Sequence, residues 1–300
     1  MKFNKIIAAS IAGLMMFTMS ACSSEQAADT SSEPVNNSEI KDKAKDIAGS
    51  LWDKAKNKIH EYTDDNDNDN TQQVSSDPNL NGARAVGNYT ATTWDASAEP
   101  DYYQIAGQAV QEALDTAPST PGVTYTGLDS LGRPGRASAL INKKMRDEGS
   151  ERKRADLPDP AGYTGNNKRV EIQSTHAGDK AYHGYFYNRS HMIAKSLGGK
   201  DELENLVNGT RMQNVGMNDS SNPGGMAYTE TIARDWLDKN PNGTIQYVAT
   251  PVYDGNEIMP RSVFVDIKTS DGSINQHVEV FNTAYGYTID YSTGKFNANN

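Results

Sequence analysis

The chain has 300 residues, enough for one large domain or two small ones, with 36% hydrophobic residues, 25 Gly and 12 Pro, and a mean hydropathy of -0.73. That composition excludes a polytopic membrane protein. The single cysteine, Cys22, excludes an internal disulfide, a zinc ribbon, a dithiol redox motif and a cysteine-held iron–sulfur centre. The net charge of -10 argues at face value against a polyanionic partner, but the acid is unevenly spread.

Lys2 and Lys5 precede an apolar run from Ile6 to Phe17, too short for a comfortable bilayer span and laid out as an export signal that is removed. The run ends Met19-Ser20-Ala21-Cys22, which resembles a bacterial lipoprotein signal. That resemblance implies cleavage after residue 21 and a lipid on Cys22, facing outward from the membrane. A free or buried thiol is the alternative.

Residues 22–80 are read as a lipidated, disordered acidic linker, too poor in large apolar groups to offset ordering entropy. Residues 23–80 hold 13 acids and 6 Lys, a net charge of -7, which leaves only -5 for residues 81–300. Ile40, Ala44, Ile47, Leu51, Ala55 and Ile59 have helical spacing and suit a surface-bound or a transient solvated helix equally. The run Asp64 to Asn70 mimics a calcium loop but lacks its Gly and terminal Glu, so it reads as a spacer.

Residues 81–300 read as one α+β domain without internal repeats. Helices are predicted over Asp101–Leu114 and Arg136–Glu148. The basic segment 133–169 carries ten Lys+Arg against five acids and suits a local anion-binding groove. Lys180–Tyr187 alternates like a strand, and Met226–Lys239 has helical spacing up to Asn240-Pro241. Ile245–Val252 and Val263–Thr269 are strand-like, and Asp271-Gly272 is a hairpin turn ahead of a strand over His277–Phe281.

The chemistry-bearing residues follow the Lys180–Tyr187 strand. Tyr187-Asn188-Arg189-Ser190-His191 sets an imidazole, able to take a proton near neutral pH, two positions from a guanidinium suited to phosphate. Glu204-Asn205-Leu206-Val207 and Gln213-Asn214 place two amides nine residues apart, and an amide oxygen plus waters suits a hard cation such as Mg²⁺. Glu230 and Arg234 stand four apart on one helix face, where the ordinary reading is a surface ion pair. His60, His176, His183 and His277 have no comparable sequence neighbourhood.

Together with Leu128-Asp129-Ser130-Leu131-Gly132-Arg133, Arg154-Ala155-Asp156-Leu157-Pro158 and Gly224-Gly225-Met226, these blocks resemble the DNA/RNA non-specific endonucleases with a ββα-metal core, of the DNA-entry nuclease and streptodornase type, from about Gly122 onward. The resemblance implies an antiparallel sheet with flanking helices, His191 as general base, Asn205 orienting that histidine, Asn214 holding Mg²⁺ with Mn²⁺ as substitute, and Arg189, Glu230 and Arg234 serving the phosphate and the metal water. It implies hydrolysis of single- and double-stranded DNA and of RNA through backbone contacts, at the outer face of the membrane or after secretion. The family tetrad Asp-Arg-Gly-His appears here as Asn188-Arg189-Ser190-His191, so no carboxylate stands at 188. A surface lipoprotein that binds DNA or another ligand without catalysis is the alternative. No His-Glu-x-x-His pattern supports a zinc peptidase.

Overall fold

The computed structural model describes residues 89–153, 155–217 and 223–299. The export signal, Cys22 and the acidic linker lie outside the described residues.

The elements, in chain order, are β1 (Tyr103–Gly107), α1 (Gln111–Leu114), β2 (Gly122–Tyr125), β3 (Ala137–Asn142), α2 (Lys143–Glu151), β4 (Arg169–Ile172), β5 (Tyr182–Tyr185) and β6 (Tyr187–His191). There follow β7 (Leu206–Thr210), α3 (Arg211–Val215), α4 (Met226–Lys239), β8 (Thr244–Val252), β9 (Ser262–Thr269), β10 (Asn275–Phe281), β11 (Tyr287–Asp290) and β12 (Lys295–Ala298). Short 3₁₀ turns at Lys195–Leu197 and Leu203–Asn205 separate β6 from β7.

A six-stranded antiparallel sheet in the order β1-β10-β9-β8-β3-β2 forms the scaffold. Its inward residues Ala139, Ile141, Ile245, Tyr247, Val265 and Val278 pack against Met226, Ala233 and Leu237 of α4 and against Met192, Ile193 and Val207 around the β6–β7 pair. A second cluster of Tyr102, Ile172, Phe186, Tyr187, Met212 and Met259 holds the β4–β5 hairpin to the same pair. The antiparallel strands β6 and β7, followed directly by α3, are therefore wedged between two apolar cores, and this is the ββα unit.

Four predicted elements appear as read. The helix Met226–Lys239 matches at both ends, and the strands over 245–252, 263–269 and 277–281 are extended by at most two residues. Gly272 takes a positive φ of 72° in the predicted turn, a conformation open to glycine at no steric cost.

Two predicted helices are corrected. Asp101–Leu114 is instead strand β1 followed by the single turn α1, because Tyr103 and Ile105 alternate onto the core and β10 offers an edge to pair with. Arg136–Glu148 splits into β3 and α2. Ala137, Ala139 and Ile141 are fully buried at period two between β2 and β8, and this lateral pairing overrides the helical propensity of an Ala- and Leu-containing run. The switch occurs at Asn142, whose side-chain oxygen accepts from Met145 N at 3.0 Å and caps α2.

Candidate active site

β6 delivers Asn188, Arg189 and His191, and its pairing with β7 fixes their alternation. α3 starts where β7 stops, at Thr210, whose hydroxyl accepts from Gln213 N at 2.9 Å. That cap orients the first turn so that Asn214 sits beside Ser190. The start of α4 is pressed against the same helix: a Cβ on Gly225 (φ 55°) would lie 2.1 Å from the Gln213 carbonyl oxygen, which explains the glycine directly ahead of Met226.

One cavity of about 440 Å³ is lined by Arg189, His191, Asn214, Asn188, Lys195 and Asp201, with Ala155, Leu157 and tyrosines completing the wall. Three of the predicted residues, from β6 and α3, thus meet in one concavity. In that cavity His191 is mostly buried, with a side chain 17% exposed, and its Nε2 lies 2.8 Å from Asp201 Oδ1. A carboxylate there accepts the Nε2–H and leaves Nδ1 as the ring's acceptor. Burial lowers the His191 pKa from its ordinary value; Asp201 opposes that shift, and the nearby charges of Arg152 and Lys195 add to it. Each influence but Asp201 favours a neutral imidazole at neutral pH.

Asp201 was not legible as a site residue. It stands ten positions beyond His191, past the Gly198-Gly199 turn, and only the folding back of that loop brings it to the ring. Arg152 steadies the arrangement, donating from Nη2 to Gly199 O at 2.6 Å and to Asp201 Oδ1 at 3.2 Å.

Asn205 takes a different place from the predicted one. Its fully buried amide accepts from Ile193 N and donates to Ile193 O and Lys200 O, each at 2.9 Å. The imidazole's partner is Asp201, and Asn205 instead clasps the loop that carries Asp201, because otherwise that buried backbone would lack hydrogen-bond partners. Glu230 and Arg234 also differ from expectation. They pair at 3.5 Å, but neither lines the cavity. Arg234 donates to Ser196 Oγ at 3.1 Å, tying α4 to the turn that bears Lys195. Burial raises the Glu230 carboxyl to about 7 against the pull of Arg234.

Arg189 lies on the wall, 4.3 Å over the Tyr163 ring, and its Nε donates to Asp159 Oδ1 at 2.7 Å. The Thr164 hydroxyl, with Arg189, keeps Asp159 below the usual carboxylate range. The predicted basic segment is partly neutralised: Lys143 pairs with Asp147 and Asp238, and Arg146 with Asp238. The Asp129–Arg133 motif is structural, since Arg133 also donates to Gly255 O and Glu257 O.

The divalent ion implied by the motif fits the donor set. Asn214 Oδ1 accepts from the buried Ser190 hydroxyl at 3.0 Å, which fixes the amide while an oxygen lone pair remains for a cation. Among the described residues no group of three or more His, Cys, Asp or Glu side chains gathers as a metal site. A hydrated, hard cation resting on few protein oxygens suits such a wall better than a closed cage does.

The ββα unit, the histidine at the end of β6 and the Asn214 amide on the short helix α3 define a nuclease architecture. Residues 122–299 match the family model described as DNA/RNA non-specific endonuclease. A protein named Deoxyribonuclease from Streptococcus dysgalactiae subsp. equisimilis is 33% identical over 231 residues, covering 67% of this chain and 68% of that protein. The structure of Sda1 nuclease with a bound zinc ion superposes with a TM-score of 0.63 at 32% identity, covering 68% of this chain and all of that one. NucA from Streptococcus agalactiae, solved with no metal bound, shares the fold with a TM-score of 0.50 at 23% identity, covering 64% of this chain and 84% of its own. The chain belongs to the DNA/RNA non-specific endonuclease family and is a hydrolase that acts on nucleic acid.

Proposed function

We propose that this protein is an exported, metal-dependent endonuclease that cleaves the phosphodiester backbone of DNA and RNA with little sequence preference. The observation that carries the reading is the single cavity in which the His191 ring, held at Nε2 by Asp201, faces the same space as Arg189 and Asn214. Hydrolysis requires a deprotonated water, charge relief at the phosphoryl oxygens and a stabilised leaving group. His191 Nδ1 takes the proton as the water oxygen bonds to phosphorus. The P–O3′ bond breaks, O3′ takes a proton from solvent, and 5′-phosphate and 3′-hydroxyl ends result. Asn214 would hold a divalent ion, Mg²⁺ being favoured by the neutral oxygen ligand with Mn²⁺ as substitute, and that ion would supply Lewis-acid neutralisation of a phosphoryl oxygen. The zinc in the Sda1 nuclease structure supports a divalent ion in a related fold.

Arg189 moves between Asp159 and the phosphate, and Lys195 adds positive charge on the same wall. Glu230 and Arg234 act at one remove, bracing the turn that carries Lys195. Nothing in this scheme reads a base edge or a 2′-hydroxyl, so DNA and RNA are both substrates. The domain division is residues 1–21 as signal, 22–80 as a linker lipidated at Cys22, and 81–300 as the nuclease. It rests on the Lys2–Phe17 layout and the Ser-Ala-Cys ending, and puts the enzyme outside the membrane.

Incubating the purified full chain with supercoiled plasmid and with RNA, in Mg²⁺ and then in excess chelator, tests this directly. Nicking in Mg²⁺ that stops with chelator is expected. No cleavage with any divalent ion leaves the non-catalytic surface lipoprotein as the better reading.

A further inference from the structure

The cavity carries aromatic surface that phosphate chemistry does not require. Two of its tyrosines are occupied within the fold: Tyr187 is buried and donates to Gly294 O at 2.9 Å, and Tyr163 lies under Arg189. Tyr185 differs. It ends β5 at the mouth of the cavity, and its side chain is 53% exposed. Its cross-strand partner on β4 is Arg169, whose guanidinium sits over one face of the ring at 5.6 Å from the centroid, farther off than the 4.3 Å of Arg189 over Tyr163. A tyrosine in that position forgoes much of the stabilisation its ring would gain from burial, and a cation stands ready beside it.

We propose that Tyr185 is a stacking platform for a nucleobase next to the scissile phosphate, with Arg169 taking the adjoining phosphate, so that the site draws extra affinity from single-stranded or frayed nucleic acid. The inference rests on the nuclease reading above and names the strand form that the site holds best. A base inside a closed duplex has both faces covered by its neighbours, whereas an unpaired base has a face to offer the phenol ring. Every base has such a face, so the contact adds affinity without adding sequence preference. Base and phosphate would be held together by one cross-strand pair, Tyr185 for the ring and Arg169 for the charge.

The test uses full-length His191→Ala protein in Mg²⁺, so that substrate survives, and measures fluorescence anisotropy with three probes of equal length: a single-stranded oligothymidylate, an abasic single strand and a blunt duplex. Adding Tyr185→Ala should weaken oligothymidylate binding about tenfold and leave the abasic strand within about twofold. Tyr185→Phe should restore binding. Tyr185→Leu, which keeps apolar bulk without a π face, should behave like Ala and serves if Ala lowers the thermal midpoint. Equal loss on the abasic strand, or no loss on oligothymidylate, overturns the proposal. Cleavage by Tyr185→Ala in the otherwise unaltered chain separates the two claims. An active parent enzyme with an unchanged ratio of single-strand to duplex cleavage sinks the stacking platform alone, whereas an inactive parent sinks the nuclease reading.

Discussion

Two histidine–aspartate pairs of equal length sit in different parts of this molecule. On the β6 side, His191 Nε2 lies 2.8 Å from Asp201; on the large sheet, His277 Nδ1 lies 2.8 Å from Asp266. The second pair is directly opposed across β9 and β10. His277 is stacked against Tyr89 and Phe264, with ring centroids 5.1 and 4.9 Å away, and Asp266 is fully buried while accepting from the Tyr89 hydroxyl and Val110 N. It fastens the segment ahead of β1 and the start of α1 to the sheet, and neither residue lines the cavity beside His191. The first pair opens onto a cavity shared with a guanidinium, an ammonium and an amide oxygen. A histidine with a carboxylate partner is thus an ordinary packing device, and what surrounds the ring decides whether it has work to do.

The largest expected effect is the one that would separate the pairs most sharply. His191→Ala should reduce plasmid cleavage by ~10² or more. His277→Ala should leave turnover per folded molecule intact while lowering the thermal midpoint by several degrees, since Asp266 then loses a buried partner at a cost of about 1–3 kcal/mol. Equal losses of turnover in both variants would erase the distinction.

Removing the partner rather than the ring sharpens it further. Asp201→Asn should slow cleavage by about 10- to 100-fold, the usual range for a residue that orients a functional side chain. It should also move the pH profile. His191 must be neutral to accept a proton, and burial already holds its pKa below the ordinary value, so the acid limb of the profile should lie below ~6.5 in the parent enzyme. Asp201 raises that pKa, so its neutralisation should shift the limb to still lower pH, measurable from kcat/KM across pH 4–8. An unshifted limb would place the titrating group elsewhere.

Asn214→Ala tests the opening onto the metal. Saturating Mg²⁺ should stabilise the parent through binding to the folded state alone, by about 2–3 kcal/mol at a hundredfold excess over Kd, read as a higher thermal midpoint, and the variant should show no such rise. The smallest effect concerns Glu230. Its folded pKa, about 7, lies above the ordinary carboxylate value, so the folded state binds the extra proton and stability should fall as pH rises from ~4.5 to 7, with the full cost present above that window. Glu230→Gln should flatten this dependence and gain most, relative to the parent, near pH 8. Thermal melts across that range provide the measurement.

Much of the scaffold was legible because its signals are local. Met226–Lys239 has an apolar stripe at helical spacing and a Pro-containing stop, and the β9–β10 hairpin announces itself through Asp271-Gly272. The segments 101–114 and 136–148 were misread because small and aliphatic residues satisfy both periods over a few turns. The choice between them was made by neighbouring strands far away in sequence. The site divides in the same way. His191, Arg189 and Asn214 stand in a recognisable motif, whereas Asp201, Asp159 and Lys195 carry no spacing signature and reach the cavity only through loop closure.

The order of amides, imidazole and guanidinium along the chain was enough to point to the family and to bring His191, Arg189 and Asn214 forward as candidates, because those groups sit on consecutive elements of one ββα unit. The tertiary structure alone decided that Asp201 rather than Asn205 holds the imidazole, that Glu230 and Arg234 stand behind the wall, and that Tyr185 stays open at the mouth. The reason is physical: hydrogen bonds and burial depend on distances through space, and a loop clasped at Ile193 and Lys200 can turn a remote carboxylate toward a ring while pointing a nearer amide away.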